Sequence, residues 1–135
     1  MTVDFDNNRP IYKQLVEKIL LGIANGELSP GARLNPVREM AAVFKVNPNT
    51  MQKSLAKLED MGYLHTIRTS GRYVTRDLEL IESLKKDLPA KITEEYIREM
   101  LNCGVDPEHI PAYVSRFVQQ TKGATGNGGG QHIGS

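Results

Sequence analysis

The residues best suited to chemistry in this sequence follow Val46, where Asn-Pro-Asn-Thr precedes a helical pattern. Amide side chains pair bidentately with adenine in the DNA major groove, and a lysine there can reach guanine or a phosphate. With 3.6 residues per turn, Asn49, Gln52 and Lys53 share the side of the helix that lies opposite the apolar Met51. The stretch therefore predicts a helix whose N-terminal end contacts DNA bases.

The residues that open this helix have roles of their own. Asn47 is the expected N-cap, and its side chain or the free N–H groups behind it can meet a phosphate at the positive helix end. Pro48 suits the first helical position, where a missing N–H does no harm. Thr50 can act in two ways. Its methyl group can pack inward, and its hydroxyl can bond the backbone.

Further cations and hydroxyls lie on both sides of this helix in the sequence. Arg33 falls in a turn, and Arg38 near the start of the preceding helix should point toward the DNA strand beside the groove. The tip of a predicted hairpin offers cations, hydroxyls and a glycine to a phosphate or the minor groove: Arg68, Thr69, Ser70, Gly71, Arg72 and Tyr73. The alternative is that Arg38 pairs with an acidic residue, Glu59 or Asp60, and that the hairpin only closes a sheet.

The charge distribution supports contact with a polyanion. The net charge of the chain is only +1, but residues 33 to 76 contain eight cations and three anions, a local +5. Residues 78 to 135 contain six cations and eight anions, a local −2. A basic block beside an acidic one is typical of a nucleic-acid-binding module joined to a part with another task.

The elements that must position these residues follow from apolar spacing and from turn residues. Apolar residues recur at steps of three and four in three segments, which predicts helices from Pro10 to about Asn25, from Pro36 (with Asn35 as cap) to about Phe44, and from Pro48 to about Met61. Two short β-type runs joined by a glycine-containing tip predict a hairpin. The fold class is therefore mainly α with a small β-hairpin, a winged helix-turn-helix over residues 1–77.

A short helical part should follow over residues 78–122, with Pro89 kinking or briefly interrupting its first helix. Its apolar residues exceed what two short helices can hide in each other, so we expect a homodimer through Leu84, Leu88, Ile92, Ile97, Met100, Leu101, Ile110, Val114 and Phe117. Residues 123–135 contain six glycines and should be disordered. A part this small does not easily enclose a ligand pocket, although a pocket between subunits leaves a small-molecule effector open.

Several function classes lack the residues they need. No apolar run approaches the ~20 residues of a membrane span, and the polar N-terminus is unlike a signal peptide, which favours the cytoplasm. One cysteine excludes an internal disulfide, and the three histidines do not share a helix face, so neither a metal nor a cofactor is expected. Without a nucleophile–base pair or a phosphate-binding glycine loop, an enzyme is not expected either.

The segment PGARLNPVREMAAVFKVNPNTMQKSLAKLEDMGYL, followed by SGRYVT, resembles the DNA-binding domain of GntR-type bacterial transcription regulators. The resemblance covers roughly Ile11 to Arg76. The short helical C-terminal part and the Asn-Pro-Asn-Thr motif are similar to the YtrA subfamily, which implies dimerisation through about two helices and target genes that often include ABC-type transporters. Many members have a base-contacting arginine where this chain has Pro48, so that contact is not carried over.

The sequence therefore predicts a homodimeric regulator that binds a double-stranded DNA operator with inverted repeats, most simply as a repressor. A rival from another class is a winged helix that binds proteins and not DNA, and a weaker one is a ligand-sensing adaptor. The local charge of +5 and the amides grouped at one helix end favour DNA.

Overall fold

The computed structural model describes residues 4–125 of the chain. In chain order its elements are α1 (Ile11–Ala24), α2 (Val37–Phe44), α3 (Pro48–Asp60), β1 (Leu64–Ile67), β2 (Gly71–Val74), α4 (Leu78–Asn102), a 3-10 helix (Pro107–His109) and α5 (Ile110–Thr125). The predicted fold class, mainly α with one small hairpin, is confirmed. The chain divides into two compact units, and the division falls inside α4, between Lys85 and Lys86.

The core of the N-terminal unit forms where the apolar stripes of its helices meet the hairpin. Helix α3 packs against both α1 and α2. The largest fully buried apolar side chains come from α1, α3 and β2: Leu15, Ile19, Ile23, Met51, Leu55, Leu58 and Val74. Because these side chains fix α3 from its inner side, the opposite side of α3 remains available to solvent.

Helix α2 does not begin as the sequence predicts. Its N-cap is Pro36, without any side-chain hydrogen bond, and the first helical residue is Val37, so the expected cap by Asn35 is wrong. The reason lies in the preceding residues, which are paired with the hairpin. The backbone N–H of Leu34 donates to the Arg72 carbonyl over 2.8 Å, which keeps the chain extended up to the start of α2.

The predicted hairpin is confirmed, and a third segment lies along its other edge. Strands β1 and β2 are antiparallel, with Leu64 opposite Val74. On the far side of β2, Arg33 forms an isolated bridge to Tyr73, and the Val74 N–H donates to the Ala32 carbonyl over 2.9 Å. This edge pairing satisfies the outer backbone groups of β2. We call the hairpin and this edge segment, residues 31–34 and 64–74, the wing.

Helix α4 is continuous from Leu78 to Asn102, so Pro89 does not interrupt it. A proline leaves the carbonyl four residues earlier, that of Lys85, without its helical donor. Both residues are exposed, so water can satisfy that carbonyl. Ile81 and Leu84 of α4 are buried, with 4% and 5% of their surface exposed, and both lie in the N-terminal unit.

The C-terminal unit contains the rest of α4, the 3-10 helix and α5. Asp106 is the N-cap of the 3-10 helix, and its carboxylate accepts from the Glu108 N–H over 2.9 Å. Helix α5 extends to Thr125, past the predicted start of the glycine-rich tail at Gly123. The remainder of that predicted tail, residues 126–135, lies outside the described residues.

Candidate nucleic-acid interface

The N-terminal end of α3 is built by its cap. Asn47 has an extended backbone, and its side-chain oxygen accepts the backbone N–H of Asn49 over 2.7 Å, which confirms the predicted N-cap. Pro48 occupies the first helical position as expected. The helix thus opens in a compact turn, and the oxygen of Asn47 is engaged within the helix itself.

The predicted base-contacting side chains lie together on the outer side of α3. Asn49, Gln52 and Lys53 are exposed, and Thr50 is half-buried. Within residues 4–125, neither Asn49 nor Gln52 has a side-chain hydrogen bond, so both amides are available to a ligand. This arrangement could present donors and acceptors to base edges.

Lys53 has an intramolecular partner that the sequence did not indicate. Its Nζ atom lies 4.0 Å from the centroid of the Tyr12 ring, which belongs to the first turn of α1. Tyr12 was absent from the predicted interface. The two residues are far apart in the sequence, and only the packing of α1 on α3 brings them together, so no local pattern could have identified the pair.

Arg38 is the second residue of α2 and is exposed. The alternative in which it pairs with Glu59 or Asp60 is not observed, because Glu59 binds Arg72 instead. In the described part of the chain, Arg38 has no carboxylate within ion-pair distance. Its charge is therefore available to a phosphate.

The tip of the wing presents Arg68, Thr69 and Ser70, all exposed. Thr69 has φ +69°, which is unusual for a β-branched residue, and its hydroxyl donates to the Arg68 carbonyl. The hydroxyl of Ser70 bonds the hydroxyl of Tyr73. The turn is thus organised by its own side chains, and the Arg68 side chain remains exposed.

Gly71 permits a close approach at the base of the tip. Its φ is +146°, and an added Cβ would lie 2.9 Å from Nε of Arg33. The Arg33 side chain therefore lies against the wing backbone. On the same face of the sheet, Tyr73 stands between Arg33 and His65, and it stacks on His65 with ring centroids 5.9 Å apart.

Arg72 differs from the other predicted cations because it is already paired. Its Nε donates to Oε1 of Glu59 over 3.0 Å, and Thr66 donates to the same carboxylate. Burial by itself would raise the pKa of Glu59, but the hydrogen bonds from Thr66 and Arg72, the charge of Arg72 and that of His65 outweigh burial and lower the pKa below its ordinary value. The charge of Arg72 therefore has mainly a structural role, which is to bind Glu59.

The predicted dimerisation residues divide into covered and uncovered side chains. Leu84 and Ile110 were expected to contact a partner subunit. Both are buried within the single chain, so they are not available to a partner. Leu88 and Met100 are half-buried. Large apolar side chains of the C-terminal unit remain exposed: Ile92, Ile97, Leu101, Val114 and Phe117 from the predicted set, together with Tyr113 and Val118.

Other site types find little support in the described residues. Across residues 4–125 there is no group of three or more His, Cys, Asp or Glu side chains that could hold a metal ion. None of the helices in that range is both long enough and apolar enough to cross a bilayer.

Comparison with known proteins gives consistent matches. Residues 11–74 match the family model "Bacterial regulatory proteins, gntR family". Two relatives from Bacillus subtilis align along nearly the whole chain. The HTH-type transcriptional regulator YhcF is 32% identical over 88% of this chain and 98% of its own length, and the HTH-type transcriptional repressor YtrA is 28% identical over 93% and 97%. A GntR family transcriptional regulator from Listeria monocytogenes has a similar solved structure, with a TM-score of 0.75 and 40% identity over 83% of this chain and 98% of its own.

Proposed function

This chain belongs to the GntR family of DNA-binding transcription regulators, and we propose that it acts in the cytoplasm as a homodimeric repressor on an inverted-repeat operator. Its similarity to the repressor YtrA over 93% of the chain supports the direction of regulation. In the simplest mechanism the bound dimer occupies a promoter and excludes the polymerase. No catalytic step is involved, since the family is one of regulators and not of enzymes.

The observation on which the proposal mainly rests is the pair of free amides, Asn49 and Gln52, on the capped end of α3. Amides can recognise adenine in the major groove, and the positive helix end favours a nearby phosphate. Arg38 on α2 precedes α3 in the sequence and Arg68 at the wing tip follows it, and each supplies a positive charge. The three elements together match the division into base contacts and backbone contacts that DNA-binding proteins use.

The homodimer is supported by the uncovered apolar side chains of the C-terminal unit. Phe117 is 57% exposed and Ile92 is 55% exposed. Burial of ~800 Å² of apolar surface at ~25 cal/mol per Å² corresponds to around 20 kcal/mol before association costs. A two-fold partner would also allow two copies of α3 to reach half-sites about 34 Å apart, one turn of duplex.

The target genes are proposed from resemblance alone. Regulators of the YtrA type often control ABC-type transporters near their own gene, so we propose such an operon as the target. DNase footprinting of the region upstream of neighbouring transporter genes tests this. Protection of a palindromic segment is expected, and protection only at unrelated promoters would refute the transporter assignment.

Salt titration of affinity for a selected duplex tests the central proposal. If six to eight cations per dimer meet phosphates, the slope of log affinity against log salt should be roughly −5 to −7. A slope near zero would favour the alternative of a winged helix that binds proteins.

Sedimentation at low micromolar concentration tests the dimer. Phe117→Ser should shift the chain toward monomer. Val43→Ser is the matched control, because Val43 is equally exposed, at 59%, but lies on α2. Wild-type protein sedimenting as a 15.0 kDa monomer would refute the dimer and the inverted-repeat operator with it.

A further inference from the structure

The side chain of Lys53 lies on the aromatic ring of Tyr12, with Nζ 4.0 Å from the ring centroid. An ammonium group within ~6 Å of a ring face is attracted by the negative potential of that face. Tyr12 is half-buried in the first turn of α1, which packs against α3, so the ring is itself fixed in place. A lysine that would otherwise sample many rotamers is thus restrained from one side.

The contact with Tyr12 holds the Lys53 side chain apart from the amide of Gln52. At 100° per residue, Lys53 lies about 100° around the helix from Gln52, and about 40° from Asn49. The ring of Tyr12 holds Lys53 on the flank of α3 that faces α1. Neither amide is restrained in this way within the described residues.

We propose that Tyr12 is a positioning residue for DNA binding, which holds the Lys53 ammonium beside the major groove as a phosphate contact and leaves base recognition to Asn49 and Gln52. The inference rests on the proposed use of α3 as the recognition helix. A lysine binds phosphate as a point charge and needs no fixed orientation for it. Contact with a guanine would instead require the side chain to extend into the groove, away from the ring.

Restraint of Lys53 before binding should increase affinity. Lysine has a flexible four-carbon stem, and the conformational freedom that it gives up on binding DNA opposes association. If the ring already limits that freedom, the complex forms at a smaller entropic cost. The strength of an exposed cation–π contact corresponds to about a two- to fivefold change in affinity for each recognition helix.

The test uses the full chain and one duplex selected by the wild-type protein. Tyr12→Phe keeps the ring, Tyr12→Leu removes it, and Lys53→Met removes the charge. Tyr12→Phe should bind like the wild type, whereas Tyr12→Leu should bind about two- to fivefold more weakly per recognition helix with unchanged base preference. Lys53→Met should make the salt slope less negative by about 0.9 for each phosphate that the lysine no longer neutralises, again without changing base preference.

A double-mutant cycle then connects the two residues. In the Lys53→Met background, Tyr12→Leu should have no further effect on affinity, because the ring acts through the lysine. Lys57 provides a matched control, since it is exposed one turn later on the same flank of α3 and has no aromatic partner among the described residues. Tyr12→Leu and Lys57→Met should therefore have additive effects.

A measurement on the free protein checks the geometry without DNA. The ε-methylene protons of Lys53 should resonate upfield, because they are next to the ammonium that lies over the ring, and Tyr12→Leu should abolish that shift. Three results would each overturn the inference while leaving α3 as the DNA-binding helix. The first is equal affinities of Tyr12→Leu and Tyr12→Phe, and the second is an undiminished effect of Tyr12→Leu in the Lys53→Met background. The third is the disappearance of a guanine preference in Lys53→Met. Failure of the wild-type protein to bind any duplex would refute the proposed function itself.

Discussion

Nε of Arg72 lies 3.0 Å from Oε1 of Glu59, and this ion pair joins strand β2 of the wing to the last turn of α3. The two side chains are only 16% and 29% exposed. In addition to the apolar core, one partly shielded carboxylate therefore ties the wing to α3, and Thr66 also donates to it.

Glu59→Gln should lower the free energy of unfolding by about 1 kcal/mol at neutral pH, because it removes the charge that Arg72 binds. The pKa of Glu59 is depressed in the folded protein, so its contribution is complete above the ordinary glutamate pKa of 4.5 and is lost as the pH falls through the lower folded value. Urea unfolding of both proteins should therefore show a difference at neutral pH that disappears in acid. Glu94→Gln, at an exposed position, is the control, and a difference that grew on acidification would contradict the assignment.

Arg38→Ala and Gln52→Ala should affect DNA binding differently. Loss of Arg38 should weaken binding to all sequences alike and reduce the salt slope, because a phosphate contact has no base preference. Loss of Gln52 should cost about 1–3 kcal/mol on the selected site and relax the preference at one position. Fluorescence anisotropy and selection from randomised duplexes measure both, with Gln119→Ala on α5 as the control. An unchanged selection after Gln52→Ala would show that α3 is wrongly oriented in the proposed complex.

Thr69→Gly should stabilise the wing. A left-handed backbone costs an ordinary residue roughly 1–2 kcal/mol, and glycine avoids this cost. Glycine also has greater freedom in the unfolded chain, which offsets part of the gain, so the free energy of unfolding should rise by up to about 1 kcal/mol. Ser70→Gly should act in the opposite direction, because Ser70 is not left-handed and its hydroxyl bonds Tyr73. Thermal unfolding compares the two, and a lower melting temperature for Thr69→Gly would mean that the threonine hydroxyl contributes more than the strain costs.

Truncation should separate the part of α4 that the core needs from the part that it does not. A chain ending at Asp77 lacks Ile81 and Leu84, which are 4% and 5% exposed in the full chain, and should lose at least ~3 kcal/mol of stability. A chain ending at Lys85 keeps both side chains and should unfold cooperatively. Urea unfolding distinguishes them, and equal midpoints would show that the beginning of α4 is dispensable.

Local patterns in the sequence predicted most of the elements but not the contacts between distant residues. The Asn47 cap followed from neighbouring residue types, since both partners lie within one helical turn. The same Asn-Pro pair at Asn35 behaved differently, because pairing of Leu34 with Arg72 determines where α2 begins. Residues as far apart as Arg72 and Glu59, or Lys53 and Tyr12, meet only after the helices and the wing have packed.

The capping bond of Asn47 has a consequence for the information content of the operator. Its side-chain oxygen is occupied by the N–H of Asn49, so Asn47 cannot offer the bidentate pair that an amide forms with adenine. With Lys53 proposed as a phosphate contact, base discrimination by α3 falls mainly to the amides of Asn49 and Gln52. Each good bidentate contact specifies about one base pair, so a sequence logo of bound sites should show about two sharply defined positions per half-site. The remaining positions should vary widely, and many near-matching sites in a genome would compete for the same protein.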